Sequence, residues 1–141
     1  MRLSLILTCA LICLGVLAPT AAAQLAEGLD SRLVGTWVNE DNMNSGGGAG
    51  GFAAFSTVMT MQLGPDGSVL QTTRSVGGGA GWSSDSGESI DFQGTWRADG
   101  QTFSVLGMGL TDYTPAATYE FSGPYLVTYN DLGRLIWQRG Q

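Results

Sequence analysis

The sequence predicts an all-β protein: an eight-stranded antiparallel up-and-down β-barrel, a simple meander, with a short N-terminal helix at its closed end. Three observations carry this. Segments rich in Thr, Val, Phe, Tyr and Trp alternate with period two. Turn signals punctuate them at Gly64-Pro65-Asp66-Gly67, Asp99-Gly100 and Asn130-Asp131-Leu132-Gly133. The connections are short enough for consecutive strands to pair, and eight strands with one apolar face lose their exposed edges by closing.

Residues 1–23 read as a leader. Arg2 supplies the positive start, Leu3 to Leu17 an apolar run too short to span a bilayer comfortably, and Ala21-Ala22-Ala23 a small-residue cleavage site before Gln24. Both cysteines, Cys9 and Cys13, lie inside it. Leu11-Ile12 ahead of Cys13 lacks the small residue that normally precedes a lipidated cysteine. The expected product is soluble and secreted or periplasmic, with one domain over residues 24–141 and no membrane contact after cleavage.

Leu25 to Ser31 suggests the short helix. Strands are expected near 33–39, 53–63, 68–76, 89–97, 102–108, 116–122, 125–129 and 134–139. In the second, Phe55, Met59, Met61 and Leu63 face one way and Ser56, Thr60 and Gln62 the other. In the fourth, Ile90, Phe92, Gly94 and Trp96 oppose Asp91, Gln93, Thr95 and Arg97. The expected inward set is Phe55, Met59, Met61, Ile90, Phe92, Trp96, Phe103, Val105, Tyr119, Phe121 and Trp137. So many large side chains in a small barrel imply a mostly filled interior, with any pocket small, apolar and near the rim.

Connections 40–52, 77–88 and 109–115 read as long loops, and 64–67, 98–101 and 123–124 as tight turns. In a meander alternate connections share an end, so one rim is loop-rich and the other closed. The pentapeptide Gly46-Gly47-Gly48-Ala49-Gly50 recurs as Gly77-Gly78-Gly79-Ala80-Gly81. It has neither the strand–helix context of a dinucleotide loop nor a following Gly-Lys-Ser/Thr. It reads as flexible linker or, alternatively, as a pair of flaps over the mouth.

Composition narrows the chemistry. The chain holds no histidine, and its six basic residues are all arginine against twelve acids, a net charge of −6 that becomes −7 when Arg2 leaves with the leader. Such a surface repels phosphate backbones, which argues against nucleic-acid partners. Without His or Cys after the leader there is no Ser–His–Asp triad, no thiol nucleophile and no ordinary zinc site. Asp85, Glu88 and Asp91 read as solvated acids rather than a calcium loop. No catalytic residue, metal or cofactor is expected, and the chain is not expected to be an enzyme.

Gly35-Thr36-Trp37 recurs as Gly94-Thr95-Trp96. Both units read as structural: core tryptophans near the closed end, each with a glycine allowing close approach or strand bending. With Leu33-Val34 before the first unit, the short helix, eight strands and a late basic residue, the chain resembles the calycin superfamily and, within it, small bacterial lipocalin-like domains. The resemblance implies that Trp37 sits at the closed end and that Arg139, from the end of the last strand, packs across it. A desolvated guanidinium on an indole face is worth about 2 kcal/mol. It also implies a binding module for a small hydrophobic molecule. The chain is shorter than usual for lipocalins and lacks their disulfide and flanking helix, so a large cavity is not implied. Thr111-Asp112-Tyr113 spells a second lipocalin motif but falls in a rim loop, not at the closed end. The residues placed nearest the rim, Phe55, Ile90 and Tyr129, are the expected ligand contacts; Gly35, Trp37, Trp96 and Arg139 form the structural closed end. The alternative reading is a protein-interaction or inhibitor domain that meets a protein partner through the glycine-rich loops.

Overall fold

The computed structural model describes residues 27–45 and 51–141. Eight strands follow in order: β1 (Gly35–Ser45), β2 (Ala53–Leu63), β3 (Ser68–Gly79), β4 (Trp82–Asp99), β5 (Thr102–Gly107), β6 (Thr114–Ser122), β7 (Tyr125–Asn130) and β8 (Gly133–Arg139). Each pairs antiparallel with the next, and β1 pairs with β8 through Trp37↔Arg139 and Val38↔Gln138, so the meander closes on itself as a ring. There is no helix among the described residues; the start of the segment expected to be helical, Leu25 to Ser31, lies outside them, as do the leader and residues 46–50. No described helix is long and apolar enough to cross a membrane.

The ring is uneven. β1 to β4 are 11 to 18 residues long, whereas β5 to β8 have 6 to 9. β5 pairs with β4 only over residues 94–99, and β8 reaches β1 only at Trp37 and Val38. Beyond those pairs the first four strands continue as a projecting sheet whose two edges are unpaired among the described residues.

That projection corrects two of the expected loops. β1 runs on through Ser45, and β3 and β4 meet at a two-residue turn, Ala80-Gly81, where Gly81 takes φ +83°. These stretches are poor in apolar residues, so alternation does not reveal them. Cross-strand backbone hydrogen bonds hold them, and both faces are open to solvent.

At the other end the tight turns gather and the core is full. Leu33, Trp37, Met61, Leu63, Val69, Trp96, Phe103, Tyr119, Leu126 and Trp137 form one buried cluster. Met59, Phe92, Val105 and Phe121 pack against it, partly buried. Each buried indole N–H has an acceptor: Trp37 donates to the Leu33 carbonyl at 2.7 Å, Trp96 to that of Gly64 at 3.1 Å, and Trp137 to Thr128 Oγ1 at 2.9 Å. An unmet indole there would forfeit its hydration without replacement.

Two members of the expected inward set lie elsewhere. Ile90 is 65% exposed and Phe55 48%. For Ile90 the cause is a bulge: Gln71 pairs with Phe92 but Thr72 with Ile90, leaving Asp91 as the extra residue. One inserted residue inverts the alternation, so Ile90 shares the outer face with Thr72 while Phe92 stays inside. Phe55 keeps its inner-face phase but lies above the ring, on the projecting sheet.

Candidate functional site

The closed end is built around Trp37. Arg139 lies over its ring with the guanidinium carbon 4.1 Å from the centroid, and donates to the Val34 carbonyl at 2.6 Å and the Arg32 carbonyl at 2.7 Å. Gly35 makes this approach feasible. It has φ +131°, and a Cβ there would sit 2.2 Å from Arg139 Nη1. Gly94 plays a related part beneath Trp96, where a Cβ would meet the Leu106 carbonyl oxygen at 2.1 Å and force β5 away. Trp96 stacks on Phe103, with ring centroids 5.9 Å apart.

Asp30 locks the segment before β1 onto the same end. It accepts from Arg32 Nε at 3.0 Å and Nη2 at 2.7 Å, and from the Tyr119 hydroxyl at 2.9 Å. The Arg32 hydrogen bonds hold its carboxyl down at about 2 against the opposing effect of burial. Burial, reinforced by the hydrogen bond to Asp30, pushes the Tyr119 phenol up to about 12. The buried Tyr119 hydroxyl, which also reaches the Gly100 carbonyl at 3.0 Å, thus ties the Asp30 segment to the floor of the core.

The residues expected to contact a ligand do not converge. Phe55 stands on β2 and faces inward above the ring. Ile90 stands on the outer face of β4. Tyr129 pairs with Arg134 on β7–β8 and donates to Glu120 at 2.6 Å, which raises its pKa. The structure instead brings Phe55 to Trp82: their rings lie 5.4 Å apart at 39°.

The local chemistry explains that pair. Phe55 is directly opposite Gly77, and Trp82 opposite Gly79. A Cβ on Gly77 would fall 2.6 Å from the Phe55 ring, and one on Gly79 2.6 Å from Trp82 Nε1. Each aromatic therefore leans over a glycine and fills the space a side chain would take, as aromatics do when they shield glycine in strands. The second glycine run is thus the floor under two rings, not a flap. With Met43, paired to Phe55 from β1, they make an exposed apolar platform on the inner face of the projecting sheet. Trp82 is 43% exposed, whereas Trp37, Trp96 and Trp137 are buried.

Sequence reasoning missed Trp82. The available signal was that each glycine run ends in an aromatic, Gly51-Phe52 in one case and Gly81-Trp82 in the other. Charge on this sheet falls mostly outside: Arg74 binds Asp85 on the outer face, with Nε to Oδ1 at 3.0 Å, holding the Asp85 carboxyl at about 2. On the inner face of β1, Asp41 stands between Asn39 and Met43.

A cleft of about 660 Å3 opens where β1 leaves β8, with Met59 and Leu135 at its base and Asp41 and Arg134 on its walls. Below it, Asn39 Nδ2 donates to the Ile136 carbonyl at 2.7 Å and pins the two strands together. No protein family, curated protein or solved structure matches this chain, so its site is read from its own chemistry.

Proposed function

We propose that the chain is an exported, non-enzymatic binding module: a lipocalin-like up-and-down barrel, filled at its closed end, that holds a small apolar molecule against the inner face of the projecting β1–β4 sheet. The observation that carries this is the Phe55–Trp82 pair packed against the backbone of Gly77 and Gly79. Two half-exposed rings tilted at 39° on a backbone floor offer a shallow apolar surface, and burying it releases about 25 cal/mol per Å2. The filled ring below supports the reading, because it leaves the upper inner face as the place where an apolar ligand gains most. A ligand with a flat hydrocarbon face and no negative charge fits best, since the chain is strongly acidic.

Trp82, the exposed indole of the four, supplies the assay. A neutral planar probe, N-phenyl-1-naphthylamine, is expected to brighten on binding and to shift the solvent-exposed part of the tryptophan emission to the blue. Phe55→Ala and Trp82→Ala should each weaken probe binding about tenfold without altering the thermal midpoint. Equal probe affinity in both variants and the parent sinks the assignment.

A further inference from the structure

Between the filled ring and the aromatic pair, the inner face of the projecting sheet carries a polar belt. Along β2 the inward side chains run Met59, Thr57, Phe55, and the register sets Asp41 and Ser75 on either side of Thr57. The Thr57 and Ser75 hydroxyls lie 3.1 Å apart. On β4 the bulge residue Asp91 accepts a hydrogen bond from the Thr73 hydroxyl. Thr73 is paired with the inward Met59, so this carboxylate also belongs to the inner face. Bulges re-aim side chains in this way.

The belt holds two carboxylates and no counter-charge among the described residues. Four of the five described arginines are engaged elsewhere: Arg32 and Arg139 at the closed end, Arg74 on Asp85 and Arg97 on Tyr113 on the outer face. Arg134 stands on the wall of the cleft that Asp41 also lines. No guanidinium nitrogen, however, lies within 4.0 Å of an Asp41 or Asp91 oxygen. Across residues 1–26 and 46–50 the one charged side chain is that of Arg2, in the segment that reads as a leader.

We propose that the molecule held on the aromatic platform carries a positive charge: an organic ammonium ion whose nitrogen sits in the belt beside Asp41 while its hydrocarbon part lies along Phe55 and Trp82. This rests on the platform proposed above and adds the chemical class of its ligand. Asp41 lies one row from Phe55 on the neighbouring strand, which from strand spacing and rise puts their Cα atoms about 8 Å apart. An ammonium between them meets a carboxylate and an aromatic ring together, and a cation within about 6 Å of a ring centroid is attracted to it. Asp91 adds to the negative potential of the same face. The net charge of −6 draws cations to the protein as a whole, and the inner-face carboxylates direct them to the platform. A neutral ligand leaves both carboxylates unpartnered, and an anion is repelled by them.

A matched pair of probes tests this: 1-pyrenemethylamine, cationic at neutral pH, and 1-pyrenemethanol, of nearly the same shape and uncharged. Each is titrated into the leader-free chain and followed by quenching of tryptophan emission. The amine is expected to bind about three- to tenfold more tightly at low salt, an advantage that shrinks at about 0.5 M salt. Asp41→Asn should cut that advantage below about twofold and leave the alcohol's affinity unchanged. Glu40→Gln removes the same charge from the outer face of the same strand, where Glu40 accepts from Ser56 and Asn42, and should leave the advantage intact. Phe55→Ala should weaken both probes alike, and circular dichroism checks the fold of each variant. An advantage that survives Asp41→Asn, or that Glu40→Gln removes equally, overturns the proposal. Equal binding of amine and alcohol also overturns it while leaving the platform standing. Binding of neither probe overturns the platform itself, and the ammonium site with it.

Discussion

Replacing Gly35 by alanine tests the closed end most sharply, because two penalties meet at one atom. The backbone there has φ +131°, outside the range that an L side chain adopts readily, which costs on the order of 1–3 kcal/mol. The new Cβ would also fall 2.2 Å from Arg139 Nη1, so the guanidinium must leave Trp37 and its two carbonyl acceptors. Arg139 is partly open to solvent, so the loss of that cap is set at about 1–2 kcal/mol, below the sum of its separate contacts. Gly35→Ala should therefore destabilise by about 2–5 kcal/mol, and Arg139→Ala by about 1–2 kcal/mol. The decisive variant is the double one. Once Arg139 is gone the added methyl has nothing to displace and only backbone strain remains. The double variant should thus be more stable than the sum of the two single effects implies, by about the value of the cap. Urea unfolding followed by tryptophan fluorescence measures all four corners of the cycle. Additivity within about 0.5 kcal/mol would show that Gly35 and Arg139 do not interact, and the account of the closed end would fail.

Two further expectations rest on the same end of the molecule. The Asp30 carboxyl is harder to protonate in the folded chain, at about 2, than unfolded, at about 3.8. Because Arg32 is 66% exposed and solvent screens the pair, the carboxyl contributes on the order of 1 kcal/mol above pH 4, a contribution that fades as the pH falls from about 4 through 2. Asp30→Asn should lower stability at pH 6 and converge on the parent near pH 2; parallel stability curves across that range would refute the linkage. Gly94→Ala should cost about 1–3 kcal/mol, since its Cβ meets the Leu106 carbonyl oxygen, whereas Gly78→Ala, whose Cβ reaches only ordinary contact with the Trp82 carbonyl at 3.6 Å, should stay within about 0.5 kcal/mol. Thermal midpoints of the pair decide it, and equal values would remove the close-approach argument for Gly94.

Where local chemistry is strong, strand order could be read directly. Gly64-Pro65-Asp66-Gly67, Asp99-Gly100 and Gly123-Pro124 are turns whose residues favour turning whatever surrounds them, and each joins a hairpin in the structure. The period-two pattern of Phe103, Val105, Tyr119 and Trp137 marks strands because one face is buried. Where neither face is buried the pattern has no cause. Residues 40–45 and 82–88 belong to β1 and β4 although their sequences read as loop. Ile90 shows a different failure: its phase is correct for an unbroken strand, and Asp91 breaks the strand. Nothing within β4 marks that position as a bulge, because a bulge is a property of two strands in register. The Phe55–Trp82 platform was hidden for the same reason. The two residues are 27 positions apart, and only the β2–β3–β4 register places each ring over its glycine.

By itself, then, the sequence determined an all-β chain of eight antiparallel strands in meander order, because turn residues and one-sided burial act through neighbours a few positions away. The direction of the strands alone puts Gly35, Trp37 and Arg139 at one end of that meander. Tertiary structure decided the rest: the 4.1 Å contact between Arg139 and Trp37, the projection of four long strands beyond a short ring, and the face on which each exposed apolar residue lies. These depend on register and relative strand length, which are settled by hydrogen bonding and packing between segments far apart in the chain.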